Sequence, residues 1–381
     1  MKRATTMRVL LNGLQAGNRS GTGRYVAELA RRLPGLADDV EVALLWPRHV
    51  PPPAGAEDAC VLVDSRSPLR RLWQDQFGIR ALRKRIGADV VHFPANVGPL
   101  LAMDGAVLTV HDLSFLRGPQ WYRRNRAAYY RYAVRRSARL AARVIVDSQA
   151  TAADVIGLLG VPEDRIDVVP LGVGHEFRCG YHAQTGFGRG APPPLQTDVR
   201  ERYRLPERFF LFVGTLEPRK NLVRLIDAFT RIAAECEYDL VLAGRDGWKV
   251  APMRAAAAAS PHAHRIHFPG FVADEDLPAV LSAAHALVWP SLYEGFGLPP
   301  LEAMACGTPV VTSNTSSLPE VVGDAALQVD PNDLEALADA MRAVATDAAL
   351  RDNLVEKGAH RAAQFTWDRT AQLTLDTYRR L

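Results

Sequence analysis

Short apolar runs alternate with helical patterns along this chain, and that alternation restricts it to parallel sheets covered by helices. A parallel strand is buried on both faces, so it reads as a near-continuous apolar run. In the first half such runs fall at 8–12, 41–46, 59–63, 90–93, 106–110, 143–147 and 166–170. In the second half they fall at 209–214, 240–243, 266–269, 287–289, 309–312 and 326–329. Each half thus carries about six strands, the content of one doubly wound domain. At 381 residues the chain is also long for a single core. Between the halves, 178–199 holds Gly180, Gly186, Gly188, Gly190 and Pro192-Pro193-Pro194. That composition cannot build a core and is expected to be a linker or surface loop, because strand patterns restart beyond it. The fold expected is α/β, with two doubly wound parallel-sheet domains.

Ligands of open parallel sheets bind outside the carboxyl ends of the strands. The richest such place is Glu294-Gly295-Phe296-Gly297-Leu298-Pro299-Pro300-Leu301-Glu302, which follows a buried strand ending at Trp289 and runs into a helix stopped by Gly307. A turn into a helix N-terminus presents backbone N–H groups to an anion. Two glutamates there are poor company for phosphate and suit hydroxyls instead. Backbone for anions and carboxylates for hydroxyls together fit a sugar nucleotide. Glu302 is expected in the first helical turn, where a carboxylate also answers the helix dipole. Glycine at 297 lets the main chain approach a ligand.

Arg219 and Lys220 follow strand 209–214 and precede a helix with the apolar stripe Leu222, Leu225, Ile226 and Phe229, for which Asn221 is the expected N-cap. Fixed cations aimed at a departing diphosphate stabilise the transition state more than the ground state, without a metal. The bland alternative is a pair of solvated basic residues in a turn. In the first half, the loop from Asn18 to Tyr25 carries Gly21 and Gly23 after the strand 8–12. A glycine-rich turn before a helix can receive phosphate. It is no dinucleotide fingerprint, since Val26 stands where a third glycine belongs, and no Lys-Ser/Thr pair makes a P-loop. His111-Asp112 follows strand 106–110, where the histidine can donate to a sugar or else satisfy backbone at the strand end, and the aspartate can orient a loop or touch an acceptor.

These segments resemble the Glu-x7-Glu signature and phosphate-binding loop of retaining glycosyltransferases of the GT-B fold, specifically the GT4 family. The landmarks 212–221, Leu242-Ala243-Gly244, Phe268-Pro269-Gly270-Phe271-Val272 and Gly307-Thr308-Pro309-Val310-Val311 resemble that family as well. The resemblance implies two Rossmann-like domains facing across a cleft, residues 1–177 with 366–381 on the acceptor side and 200–365 on the donor side. It implies that Arg219 and Lys220 meet the diphosphate, near Gly214. It implies that Glu302 holds the ribose and Glu294 the donor sugar. The backbone of Phe296, Gly297 and Leu298 then contacts sugar and phosphate, and Gly270, Phe271 and Val272 lie by the base. His111 stands beside the donor sugar. Gly21, Gly23 and Asp112 lie near the acceptor. The leaving phosphate is expected to take the acceptor's proton on the same face, with no covalent adduct on Glu294.

No cofactor or metal is expected. The donor is a nucleoside-diphosphate sugar, GDP-mannose first, since mannosyltransferase-like members that build cell-surface polysaccharides resemble the chain best. UDP-dependent glucosyl or N-acetylglucosaminyl transfer to a small natural product stays open. So do an epimerase and a non-catalytic sugar-nucleotide-binding protein; a phosphorylase would need a pyridoxal lysine, for which no motif is seen. The acceptor is a glycan, lipid-linked or small molecule. A formal charge of +4 argues against a nucleic-acid partner.

Cys60, Cys179, Cys236 and Cys306 are scattered, which suggests reduced thiols in a cytoplasmic protein. No signal-peptide pattern and no membrane span is read. Two segments tempt. Three histidines in 261–267 are loosely metal-like, and an exposed connection explains them better. Residues 113–146 hold nine arginines, no acid, and Trp121, Tyr122, Tyr129, Tyr130 and Tyr132. Such a helix suits an anionic membrane or acceptor, or else packs its tyrosines on the sheet.

Overall fold

The structure is a computed structural model and describes residues 6–18, 21–122, 124–177 and 197–381. The chain divides into two units, Met1–Gly172 with Thr366–Leu381, and Val173–Phe365. The boundary after Gly172 precedes the expected edge at 177. The segment beyond it belongs to the second unit, where Val173 N–H donates to Phe365 O at 3.2 Å and Phe177 is buried. Most of the expected linker, 178–196, lies outside the described residues.

The first unit is a seven-stranded parallel sheet in the order β3-β2-β1-β4-β5-β6-β7. Its strands are β1 Met7–Asn12, β2 Val40–Pro47, β3 Cys60–Val63, β4 Val90–Phe93, β5 Ala106–Val110, β6 Arg143–Val146 and β7 Ile166–Val168. The second is a six-stranded sheet in the order β10-β9-β8-β11-β12-β13. It comprises β8 Phe209–Val213, β9 Asp239–Ala243, β10 Ile266–Gly270, β11 Ala286–Trp289, β12 Val310–Ser313 and β13 Leu327–Val329. Every expected strand is present. Central strands such as β5 and β8 are buried at every residue, which is why they read as near-continuous apolar runs.

Strand order reverses between β1 and β4 and between β8 and β11. At such a switch point the connections diverge and leave a crevice at the carboxyl ends. The chain after β8 carries Arg219 and Lys220, and the chain after β11 carries Glu294. Their separation in sequence is undone because β8 and β11 pair directly, Ala286 with Phe210 and Leu287 with Leu211. Beneath them Phe212 stacks on Trp289 with ring centroids 4.8 Å apart.

The helix Trp367–Tyr378 belongs to the first unit. Thr366 caps it by accepting from Arg369 N at 3.2 Å. Trp367 and Tyr378 are buried, and Tyr378 Oη lies 2.7 Å from His92 Nδ1. The described cysteines, Cys60, Cys236 and Cys306, are free thiols. Among the described residues no helix is long and apolar enough to cross a membrane.

Candidate functional site

In the second unit, Leu216 and Glu217 lead from β8 into a short 3-10 turn, Pro218–Lys220. Asn221 then adopts a left-handed φ of 59° and starts the helix Leu222–Ile232. It occupies the N-cap position but does not cap: its amide donates to Pro331 O at 2.7 Å instead. This corrects the sequence expectation. An αL residue there turns its side chain outward, and a second loop supplies an acceptor.

Arg219 and Lys220 converge on one carboxylate. Arg219 Nη1 donates to Glu294 Oε2 at 2.8 Å, and Lys220 Nζ to Glu294 Oε1 at 2.5 Å. Glu217, within the landmark 212–221, accepts from Arg219 Nε at 3.1 Å. Arg219 Nη1 also reaches Tyr293 O at 2.7 Å, and Lys220 Nζ sits 4.3 Å from the centre of the Trp289 ring. All four ionic side chains are nearly buried. Two cations thus face two carboxylates in a low-dielectric site, where unpaired charges would be very costly. Burial alone would raise the Glu294 pKa; the Arg219 and Lys220 charges outweigh it and hold the carboxyl down to about 2. Burial and the neighbouring Arg219 lower the Lys220 pKa, against the pull of Glu294 and Glu217.

The Glu294 loop is fixed from behind. Ser316 Oγ accepts from Glu294 N at 2.9 Å, and Ser317 Oγ donates to Glu294 O at 3.0 Å and Phe296 O at 2.6 Å. Gly297 carries φ 123°, a conformation open to glycine and strained for other residues, and from it the helix Leu298–Ala305 begins. Pro299 and Pro300 fall in its first turn, where no N–H donor is needed. The helix therefore starts four residues before Glu302. Glu302 is its fifth residue, buried and beyond the first turn, so the dipole role expected for it does not apply. Gly307, with φ 76°, stands past the C-cap Cys306 as expected.

Phe296 and Leu298 are buried beside this turn. Gly214 lies against Trp289, where a Cβ would come 3.2 Å from the ring. Gly270 ends β10 with φ 84° and accepts from Gly244 N at 2.7 Å. Arg245 covers the Phe271 ring at 4.7 Å, and Val272 is buried.

In the first unit, Gly21 is exposed at the start of the helix Gly21–Arg32, and Gly23 is buried in its first turn. A Cβ at Gly23 would come 1.8 Å from Asn18 O, so the close approach of that loop requires glycine. Arg19 and Ser20 lie outside the described residues. His111 sits after β5, and its ring is held at both nitrogens. Nδ1 lies 2.7 Å from Asp147 Oδ2 and Nε2 lies 3.1 Å from Pro94 O. Two acceptors on one ring favour the imidazolium. Burial pushes the His111 pKa down, but Asp147 with its hydrogen bond overrides this and raises it. The N–H expected for a sugar thus points at protein acceptors here. Asp112 Oδ1 accepts from Ser114 N at 3.0 Å and from its Oγ at 2.6 Å, which fixes the loop after β5.

Asp147 was read only as the end of a strand. Its Oδ1 is buried without a hydrogen-bond partner. Tyr25 packs edge-on to His111 at 5.0 Å, and Tyr25 Oη shares Thr109 Oγ1 with His92 Nε2. The signal that would have found Asp147 is topological, because β5 and β6 pair Val110 with Val146 and set their carboxyl ends side by side. Of the tempting histidines, His267 Nε2 pairs with Asp239 Oδ2 at 2.7 Å. Of the tyrosines in 113–146, Tyr122 and Tyr130 pack on the core, while Tyr129 and Tyr132 are exposed.

Residues 196–361 match the family described as "Glycosyl transferases group 1", and residues 19–177 match "Glycosyltransferase Family 4". The O-antigen chain mannosyltransferase B of Escherichia coli is 31% identical over 95% of this chain and 96% of its own length. The serotype-specific mannosyltransferase WbdA of the same organism is 35% identical over 61% of this chain but only 28% of its own length. Among solved structures, sucrose-phosphate synthase from Thermosynechococcus elongatus superposes with a TM-score of 0.75 over 98% of both chains at 22% identity, a likeness of fold.

Proposed function

The chain belongs to glycosyltransferase family 4, and on that premise we propose that it moves a mannosyl group from GDP-mannose to a lipid-linked or saccharide acceptor in cell-surface polysaccharide synthesis. The observation that carries this reading is the buried cluster of Arg219, Lys220 and Glu294 at the switch point of the second unit. Its cations suit a diphosphate and its carboxylate suits sugar hydroxyls. The mannose assignment takes support from two similar proteins whose names are mannosyltransferases.

In the proposed cycle the donor diphosphate replaces Glu294 as the partner of Arg219 and Lys220. Glu294, kept ionised by their charges, turns to the sugar hydroxyls. Glu217 holds Arg219 in place through the exchange. The anomeric C–O bond to the diphosphate breaks as the acceptor oxygen closes on the same face. The leaving phosphate oxygen takes the acceptor's proton, so the product keeps the donor's anomeric configuration. Two fixed cations supply the charge stabilisation for which other transferases use a divalent metal. Glu302 binds the ribose, with Gly214, Phe296, Gly297 and Leu298 around sugar and phosphate and Gly270, Phe271 and Val272 by the base. The protein works in the cytoplasm, at the membrane where a lipid-linked acceptor resides.

Turnover of GDP-mannose, UDP-glucose and UDP-N-acetylglucosamine in EDTA, with the product anomer read by NMR, tests this. GDP-mannose consumption with retention is expected. Turnover of UDP-sugars alone would favour the glucosyl or N-acetylglucosaminyl reading. Inversion, or dependence on added metal, would overturn the mechanism.

A further inference from the structure

We propose that the face built from residues 68–78 and the outer side of the helix Arg124–Leu140 docks on a lipid bilayer with anionic headgroups. Four large apolar side chains stand in solvent on one short stretch: Leu69 is 81% exposed, Leu72 45%, Trp73 55% and Phe77 54%. A clustered apolar patch of this kind on a soluble surface marks an interaction site. The helix Pro68–Trp73 passes into a π-turn, Gln74–Gly78, in which the Trp73 and Phe77 rings lie 6.5 Å apart. The buried polar side of that turn is anchored. Asn12 Nδ2 donates to Asp75 Oδ1 at 2.8 Å, and Gln76 bonds Gly98 O at 3.1 Å and Leu100 N at 2.9 Å. The apolar side chains therefore point outward because the polar ones are tied down.

The second helix joins the same face. Arg136 Nε donates to Leu100 O at 3.2 Å, so the loop that Gln76 holds is also held by this helix. The helix buries Ala133, Val134, Ser137 and Ala138. It exposes Tyr129, Tyr132, Arg131, Arg135 and Arg139. Arg80 completes the join through Leu101 O at 2.6 Å.

Charge decides the occupant. Residues 64–89 hold seven basic residues and three acids: Asp75 is bonded by Asn12 and shielded by burial, Asp64 pairs with Arg70, and Asp89 accepts from Arg8 N, which leaves a net basic segment. Residues 113–146 hold nine arginines and no acid. Exposed Trp, Tyr and Leu beside arginines match the amphipathic boundary of an anionic bilayer. A second copy of the chain fits poorly, since a two-fold contact would set arginines against arginines. The anchor Asn12 ends β1, so it stands at the carboxyl edge of the sheet, the edge from which the loops of Gly23 and His111 also leave. The inference deepens the lipid-linked acceptor reading by naming the surface that would meet the lipid.

The test is sedimentation of the full chain with vesicles of 70:30 phosphatidylcholine and phosphatidylglycerol, against pure phosphatidylcholine, at low and high salt. Binding to the anionic vesicles that weakens with salt is expected. R131E/R135E/R139E should lower partition on the order of 100-fold, and W73S/F77S at least about tenfold. These residues are exposed, so both variants should keep the wild-type melting temperature and donor binding. Absent vesicle binding, or binding unchanged in both variants, would overturn the proposal. A dimer that W73S/F77S dissolves would also overturn it, by assigning the face to a second copy. Vesicle binding without sugar transfer would sink the acceptor reading and leave the surface standing.

Discussion

Lys220→Ala separates the two tasks of the cation pair. The variant leaves Glu294 buried with Arg219 as its remaining charge partner, 2.8 Å away. Breaking a buried ion pair costs about 3–5 kcal/mol, and the surviving Arg219 contact puts this case near 3. For a unit of this size that lowers the melting temperature by roughly 6–12 °C, so kinetics belong well below the transition. There, donor affinity should fall less than about tenfold, because Arg219 and the backbone of the Glu294 loop still hold the ground state. Turnover should fall about 100- to 1000-fold, the usual effect of removing one group aimed at developing charge. Isothermal titration with the donor and a steady-state assay read the two numbers. Equal losses in affinity and turnover would refute the reasoning and reduce Lys220 to a tether.

Glu294 predicts a specific acid sensitivity. Its folded pKa, about 2, lies below its ordinary value of 4.5. The stabilisation is therefore fully present above pH 4.5 and is lost as pH falls toward 2. That difference corresponds to about 3 kcal/mol, so urea midpoints of wild type and Glu294→Gln should begin to converge below pH 4.5 and come together as pH falls toward 2. His111 has the opposite sign. Its raised pKa stabilises the fold below the ordinary histidine range, and that contribution fades as pH rises through the folded value. Asp147→Asn should move the His111 titration, followed by NMR, to lower pH and lower turnover at neutral pH. An unmoved titration would show that Asp147 does not set the state of the ring.

Much of the fold was legible because parallel strands advertise themselves as near-continuous apolar runs. Those at 106–110 and 209–213 are buried throughout. Local chemistry misled where two rules competed. Pro299 and Pro300 fit the first turn of a helix, so Glu302 lies deeper in it than the first turn expected for it. Asn221 reads as a cap, yet its left-handed backbone sends the side chain to Pro331. The partners of the site residues were not legible at all. Glu294 meets Lys220 because β8 pairs with β11, and His111 meets Asp147 because β5 pairs with β6. Strand order is a property of the whole sheet, and no local pattern encodes it. The outward turn of Trp73 and Phe77 likewise depends on the anchors at Asn12 and Gly98.

The most direct test of the central claim is titration calorimetry of GDP and GDP-mannose into the wild type and an R219A/K220A variant, with EDTA present throughout. The account predicts binding to the wild type without metal and loss of most of that binding in the double variant. Equal binding to both proteins, or no binding of either nucleotide until a divalent metal is supplied, would contradict it.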